Sequence, residues 1–114
     1  MRKGSLFGVC VLVVIMVFSL SGWARAETIK IGINAPLTGD IPKVGEGTKF
    51  AAQMWLEDVK AAGGLAVGKK KYTVELVLED NESKAESAVK VTTKMITEDG
   101  VLVMVGPQAS KQAI

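Results

Sequence analysis

Apolar residues alternate with polar or small ones from Thr28 to Asn34, where Ile29, Ile31 and Ile33 recur at every second position with Gly32 between them. Strand side chains alternate between two faces, so this spacing predicts a β-strand, ended by Pro36. Residues 35 to 44 show no period and predict a loop. From about Gly45 the period lengthens: Ala52, Trp55, Leu56, Val59 and Ala62 recur at three- and four-residue intervals until Gly63-Gly64. That spacing predicts a helix with one apolar stripe, stopped by the glycines. Leu65 to Lys71 is a connection turning at Gly68, and Tyr72 to Glu79 predicts a second strand with Val74, Leu76 and Leu78 on one face and Val77 on the other. Asp80 to Ser83 turns the chain. A second helical stripe, Ala85, Ala88, Val89, Thr92, Met95 and Ile96, ends at Gly100, and Ser83 and Glu86 stand at capping-box spacing. The unbroken apolar run Val101 to Val105, bounded by Gly100 and Gly106-Pro107, predicts a third strand buried on both faces.

Strand, helix, strand, helix, strand is the order of an α/β fold with a parallel, doubly wound sheet, because parallel neighbours need crossover connections. The strand order expected is 2-1-3, with the isoleucine-rich first strand central and covered by helices on both sides. Ligands of such sheets sit outside the carboxyl ends of the strands, where the order reverses. In this chain that points to the loops at 35 to 44 and 106 to 110.

The amino-terminal residues change the picture of charge. Arg2 and Lys3 precede a greasy stretch from Leu6 to Leu20, interrupted only by Gly8, Cys10 and Ser19, and Ala24 and Ala26 supply a small-x-small cleavage site. This predicts a signal peptide over residues 1–26, cleaved to leave a mature chain from Glu27. The apolar stretch is short for a bilayer span, which asks for about 20 residues. Cys10 follows Val9 too early in the chain to be a lipid-modified cysteine, so the single cysteine leaves with the signal. The whole chain has 14 basic and 12 acidic residues, net +2. Arg2, Lys3 and Arg25 fall in the signal, which leaves 11 basic residues against 12 acidic ones and a net charge of −1. No basic stripe remains to suggest a nucleic-acid partner. The 88 residues from Glu27 suffice for one small core, without a disulfide to reinforce it.

Histidine is absent. That removes Ser-His-Asp and Cys-His nucleophile arrangements and the usual zinc ligand set. Gly45-Glu46-Gly47 opens like a dinucleotide fingerprint, but Phe50 stands at the third glycine and the pair lies well past the first strand. No Gly-Lys-Ser or Gly-Lys-Thr forms a phosphate loop, and Asn34-Ala35 takes the place of the acids that a phosphoacceptor domain needs there. Glu79-Asp80-Asn81-Glu82 lacks the alternating ligands and glycine turn of a calcium loop, and suits a turn with acids near a helix start. No metal or cofactor is expected. Lys69-Lys70-Lys71 beside Gly68 suits a solvated hairpin tip, Trp55 a core position, and Phe50 a position nearer the cleft mouth.

Pro36-Leu37-Thr38-Gly39, Gly45-x-Gly47, Ala61-Ala62-Gly63-Gly64, Asp80, Ala88-Val89, Lys94-Met95-Ile96-x-x-Asp99-Gly100-Val101 and Gly106-Pro107 follow one another in an order and spacing that resemble the branched-chain amino-acid-binding family. These are periplasmic solute-binding proteins of ABC transporters. The resemblance runs from about Ile29 to the end of the chain. It implies a type I periplasmic-binding fold, in which two α/β lobes close on a ligand, and it makes residues 27–114 the incomplete start of the N-terminal lobe. The implied function is capture of a branched-chain amino acid or similar small solute and its delivery to ABC permease subunits in the membrane, without enzymatic chemistry. Position by position, the resemblance implies ligand contact at Ser110, whose hydroxyl at a helix opening can hold a carboxylate or serve as a plain N-cap. It places Gln108 and Ala109 in the loop facing the cleft, and Val44 where the family often has a bulkier pocket-lining residue. Lys60 stands where asparagine is usual. A ligand-sensing lobe of a receptor or regulator and a secreted α/β enzyme are the alternative readings.

Overall fold

The computed structural model describes residues 26–113. Apart from Ala26, the predicted signal peptide falls outside the described residues. The elements are β1 (Thr28–Ala35), α1 (Pro42–Ala61), β2 (Leu65–Val67), β3 (Lys70–Asp80), α2 (Ala85–Lys94) with a π-helical turn at Met95–Asp99, β4 (Val103–Val105) and α3 (Ser110–Ala113). The sheet order is β2-β3-β1-β4. β1 runs parallel to β3, from Thr28 beside Thr73 to Ala35 beside Asp80, and parallel to β4, from Ile31 beside Val103 to Ile33 beside Val105. The three long-range strands therefore stand in the order 2-1-3 expected of the sequence, with β1 central.

The alternation within β1 decides what each face packs against. Ile31 and Ile33 point to the side of α1, where they line a cavity with Ala52 and Trp55. Gly32 and Asn34 point to the side of α2: a Cβ on Gly32 would lie 2.7 Å from the Met95 sulfur, and the Asn34 amide bonds the Ala88 carbonyl. One helix covers each face, and Ile33, Ala35, Val59, Val74, Ala88, Val91 and Met95 form the buried core. Gly63 and Gly64 end α1, their amides bonding the carbonyls of Lys60 and Val59. Gly100, left-handed at φ 67, closes the π-helical turn.

Several expectations need correction. The segment 65–71 is half of a hairpin: β2 pairs antiparallel with β3, Leu65 opposite Tyr72 and Val67 opposite Lys70, and the lysines occupy its exposed tip as expected. α1 opens at Pro42, earlier than Gly45, because proline fits a first helical position whose amide has no partner in any case. Val44 consequently belongs to the first turn of a helix, not to a loop. Ser83 forms no capping box, since the residue flanking α2 is Lys84, which makes no side-chain cap bond. On α2 the buried side is Ala88, Val91 and Met95, and Val89 and Ile96 turn outward. The run Val101 to Val105 is not buried on both faces: only Val103–Val105 pairs, and Val103 and Val105 are 54% and 47% exposed at the sheet edge. Trp55, 40% exposed, roofs the same side and is not a core residue.

Candidate functional site

The parallel register ends β1 and β3 at one level, Ala35 beside Asp80, so the loops that follow them leave the sheet side by side. The first loop, residues 36–41, is held by the second, residues 81–84. Oδ1 of Asp80 accepts the amides of Leu37 (2.9 Å), Thr38 (3.2 Å) and Glu82 (2.8 Å), and Oδ2 accepts the Thr38 hydroxyl at 2.6 Å. The Ser83 hydroxyl donates to the Thr38 carbonyl at 2.7 Å and accepts the Ile41 amide at 3.2 Å. The two loops touch so closely that a Cβ on Gly39, itself at φ 90, would overlap the Glu82 carbonyl. Glu82 and Ser83 both adopt positive φ, 53 and 60, a region costly for residues other than glycine. Their amides are caught by the side chains two residues earlier, Glu82 by Asp80 and Ser83 by Asn81 at 3.1 Å, which fixes this unusual turn. Partial burial raises the Asp80 carboxyl, but the bonds from the Thr38 hydroxyl and the amides of Glu82, Thr38 and Leu37 outweigh it and leave the group below its ordinary value.

Beneath these loops lies a buried amide network. Asn34 and Asn81 are fully buried. Asn81 Nδ2 donates to Asn34 Oδ1 at 2.8 Å, and Asn34 Nδ2 donates to the Ala88 carbonyl and the Thr92 hydroxyl, each at 3.1 Å. The Asn81 amide returns to the Ala35 carbonyl at 3.0 Å. The end of β1, the turn after β3 and the middle of α2 are thus one hydrogen-bonded unit.

The third loop, residues 106–109, packs against the end of β1, and the helix that follows it reaches the first loop. Gly106, at φ 103, rests on the Asn34 carbonyl so closely that a Cβ there would overlap it. Lys111 Nζ, in α3, bonds Asp40 Oδ2 at 2.9 Å. That hydrogen bond and charge lower the Asp40 carboxyl below its ordinary value. Of the residues singled out from the sequence, Gln108, Ala109 and Ser110 lie together on this loop and the opening of α3. Ser110 is exposed and its hydroxyl makes no hydrogen bond among the described residues; the Gln112 amide is taken instead by the Ala109 carbonyl at 2.9 Å. Gln108 is half-buried, and it lines the apolar cavity of about 540 Å³ between α1 and β4, its Oε1 unpartnered. Val44 stands apart on the first turn of α1, 46% exposed. Phe50 meets Leu37 and Pro42 around a hollow at the base of the first loop.

The acidic run after β3 disperses. Glu79 pairs with Lys94, which also bonds Asp99 at 3.2 Å; these two hydrogen bonds, Glu79 first, raise the lysine above its ordinary value. Asp80 turns to the first loop, Asn81 inward, and Glu82 to the Ser87 hydroxyl at 2.8 Å. Among the described residues no group of three or more histidine, cysteine or acidic side chains could hold a metal, and no helix is long and apolar enough to cross a membrane. Sequence reasoning passed over Thr38, Ser83, Asn34 and Asn81 as parts of the site. One signal for Asn34 was available: a polar residue at the end of an isoleucine strand, on the face a helix must cover.

A family model described as periplasmic binding protein matches residues 28–114. An amino acid binding protein of Pseudomonas aeruginosa is 33% identical over 107 residues, covering 94% of this chain and 27% of that protein. The Leu/Ile/Val-binding protein BraC3 of Rhizobium johnstonii is 35% identical over 86 residues, covering 75% of this chain and 22% of the relative. The chain thus spans about a quarter of the length of these relatives. Among solved structures, the branched-chain amino acid transporter substrate binding protein LivJ of Streptococcus pneumoniae, in complex with isoleucine, superposes with a TM-score of 0.70 at 33% identity, over 76% of this chain and 24% of the other.

Proposed function

The chain belongs to the periplasmic binding protein family, and from that membership we propose that it contributes one wall of the ligand cleft of a solute-binding protein. The solute is a branched-chain amino acid or a close analogue, and the protein hands it to the permease of an ABC importer in the periplasm. The observation that carries this reading is the likeness, in sequence and in fold together, to a substrate binding protein solved with isoleucine.

The geometry is suited to such a role. Three loops converge at the carboxyl edge of the sheet, where ligands of doubly wound folds bind. The Ser110 hydroxyl, exposed and unengaged by the described residues, is free to meet the head group of an amino acid beside the backbone of Gln108 and Ala109. Val44 would line the side of the pocket from the first turn of α1. Binding by closure needs a second wall, which excludes water and engages the rest of the ligand. No bond is made or broken. Isothermal titration of isoleucine into the protein expressed from its complete coding sequence tests this. Saturable binding, weakened by Ser110→Ala, is the expected result; no binding of isoleucine, leucine or valine would remove the proposal.

A further inference from the structure

We propose that Asp80 is a positioning residue for ligand capture: its carboxylate fixes the cleft-side loop of residues 36–41 through the Leu37 and Thr38 amides and the Thr38 hydroxyl, without itself touching the ligand. The inference rests on the solute-capture reading for its purpose, and on the loop geometry for its mechanism. Oδ1 is filled by three amides and Oδ2 is engaged by a hydroxyl at 2.6 Å, so the carboxylate is spent on protein groups. Charge-assisted bonds of this kind are about twice as strong as neutral ones. They also span two loops at once. The Glu82 amide on the same oxygen fixes the positive-φ turn from which the Ser83 hydroxyl reaches Thr38 and Ile41.

Asp80 therefore acts twice on the first loop, directly at Leu37 and Thr38, and through Ser83 at Thr38 and Ile41, the residue before α1. The loop so held leads to Asp40, whose bond to Lys111 joins it to the opening of α3, one residue from Ser110. A residue that sets this loop sets how the first and third loops face each other across the mouth.

Amide hydrogen exchange and isoleucine titration, both on the protein expressed from its complete coding sequence, test the assignment with Asp80→Ala and Asp80→Asn. Asparagine keeps an oxygen for the three amides and an amide group that the Thr38 hydroxyl can turn to accept. In the ligand-free protein, Asp80→Ala is expected to lower protection of the Leu37 and Thr38 amides about tenfold, while the Ile31 and Ile33 amides within β1 change by less than about threefold. Asp80→Asn is expected to keep loop protection within about threefold of the parent. Isoleucine affinity should fall about tenfold in Asp80→Ala and follow the loop protection across the variants. In Asp80→Ala, unchanged protection at Leu37 and Thr38, or a loss spread evenly over β1, overturns the positioning role, as does undiminished isoleucine affinity with a loosened loop. If Asp80→Ala does not fold, Asp80→Ser, too short to reach both loops, takes its place: protection lost selectively at Leu37 and Thr38 supports the assignment, and protection there that changes no more than that of β1 overturns it. Failure of the parent protein to bind isoleucine strikes the solute-capture reading, and the exchange measurement then decides the loop assignment by itself.

Discussion

Asn34 and Asn81 carry no charge and touch no solvent, yet they join three elements through bonds of 2.8 to 3.1 Å. A buried amide group left without a partner costs about 1–3 kcal/mol. Asn34→Ala strands Nδ2 of Asn81 and opens a small void, so a loss of about 2–3 kcal/mol is expected in urea unfolding. The Ala88 carbonyl keeps the Thr92 hydroxyl at 2.8 Å and adds little to that loss. At Asp80 the sign of the pH effect follows from its lowered carboxyl. Its stabilising contribution is complete above the ordinary carboxylate range, near pH 4, and is lost as pH falls through the lowered folded-state value. The stability difference between the parent and Asp80→Asn should therefore be constant near neutrality and shrink below about pH 4; a difference that grows on acidification would contradict the network described. Neither side chain announces these roles by type. Asp80 and Asn81 were legible as turn residues, but which amides they bind depends on β1 lying alongside β3, a pairing between distant segments.

Elements whose apolar spacing is regular were legible in kind and in order. β1, α1, β3 and α2 follow from periods of two and of three to four residues, and the glycine stops at Gly63-Gly64 and Gly100 hold. Boundaries set by tertiary contact were not. The first turn of α1 has no stripe to reveal it, since Pro42, Lys43 and Val44 are all exposed. Its preceding residue, Ile41, offers no side-chain cap, and the Ile41 amide is instead received by Ser83 from another loop. Ser83→Ala should consequently loosen a helix to which it does not belong. The expected result is a loss of about 1 kcal/mol, with faster amide exchange confined to residues 38 to 45 in NMR spectra. An equal effect in α2, where the Ser83-Glu86 spacing had pointed, would contradict the cross-loop assignment. The edge strand β4 misled for a related reason: five successive apolar residues do not say which of them find a neighbour, and only three pair with β1.

On the scale of the molecule, the loops at the carboxyl edge of the sheet are bonded to one another, while the side of the sheet beneath α1 leaves Val103, Val105 and Trp55 substantially exposed. The loops supply one wall of the proposed cleft, and the described residues contain no second α/β unit. Residues 27–114 alone are therefore expected to give no measurable heat on titration with leucine. Tight binding by that isolated segment would show that one wall suffices. The fold class was legible because doubly wound order is written into the alternation of periods. That the loops at 35 to 44 and 106 to 110 leave the same edge of the sheet was legible from the strand order, and the bonds that shape the first of them were not, since they join residues some forty positions apart.

The central position of β1 has a consequence in time as well as in space. It is the earliest strand among the described residues, yet both its sheet partners follow it, β3 after the whole of α1 and the β2 strand, β4 after α2 as well. No local hairpin can nucleate the parallel part of this sheet, and loop closure over such separations slows folding. In a chain made from its amino terminus, β1 therefore waits unpaired until β3 and then β4 have been added, and the sheet closes late.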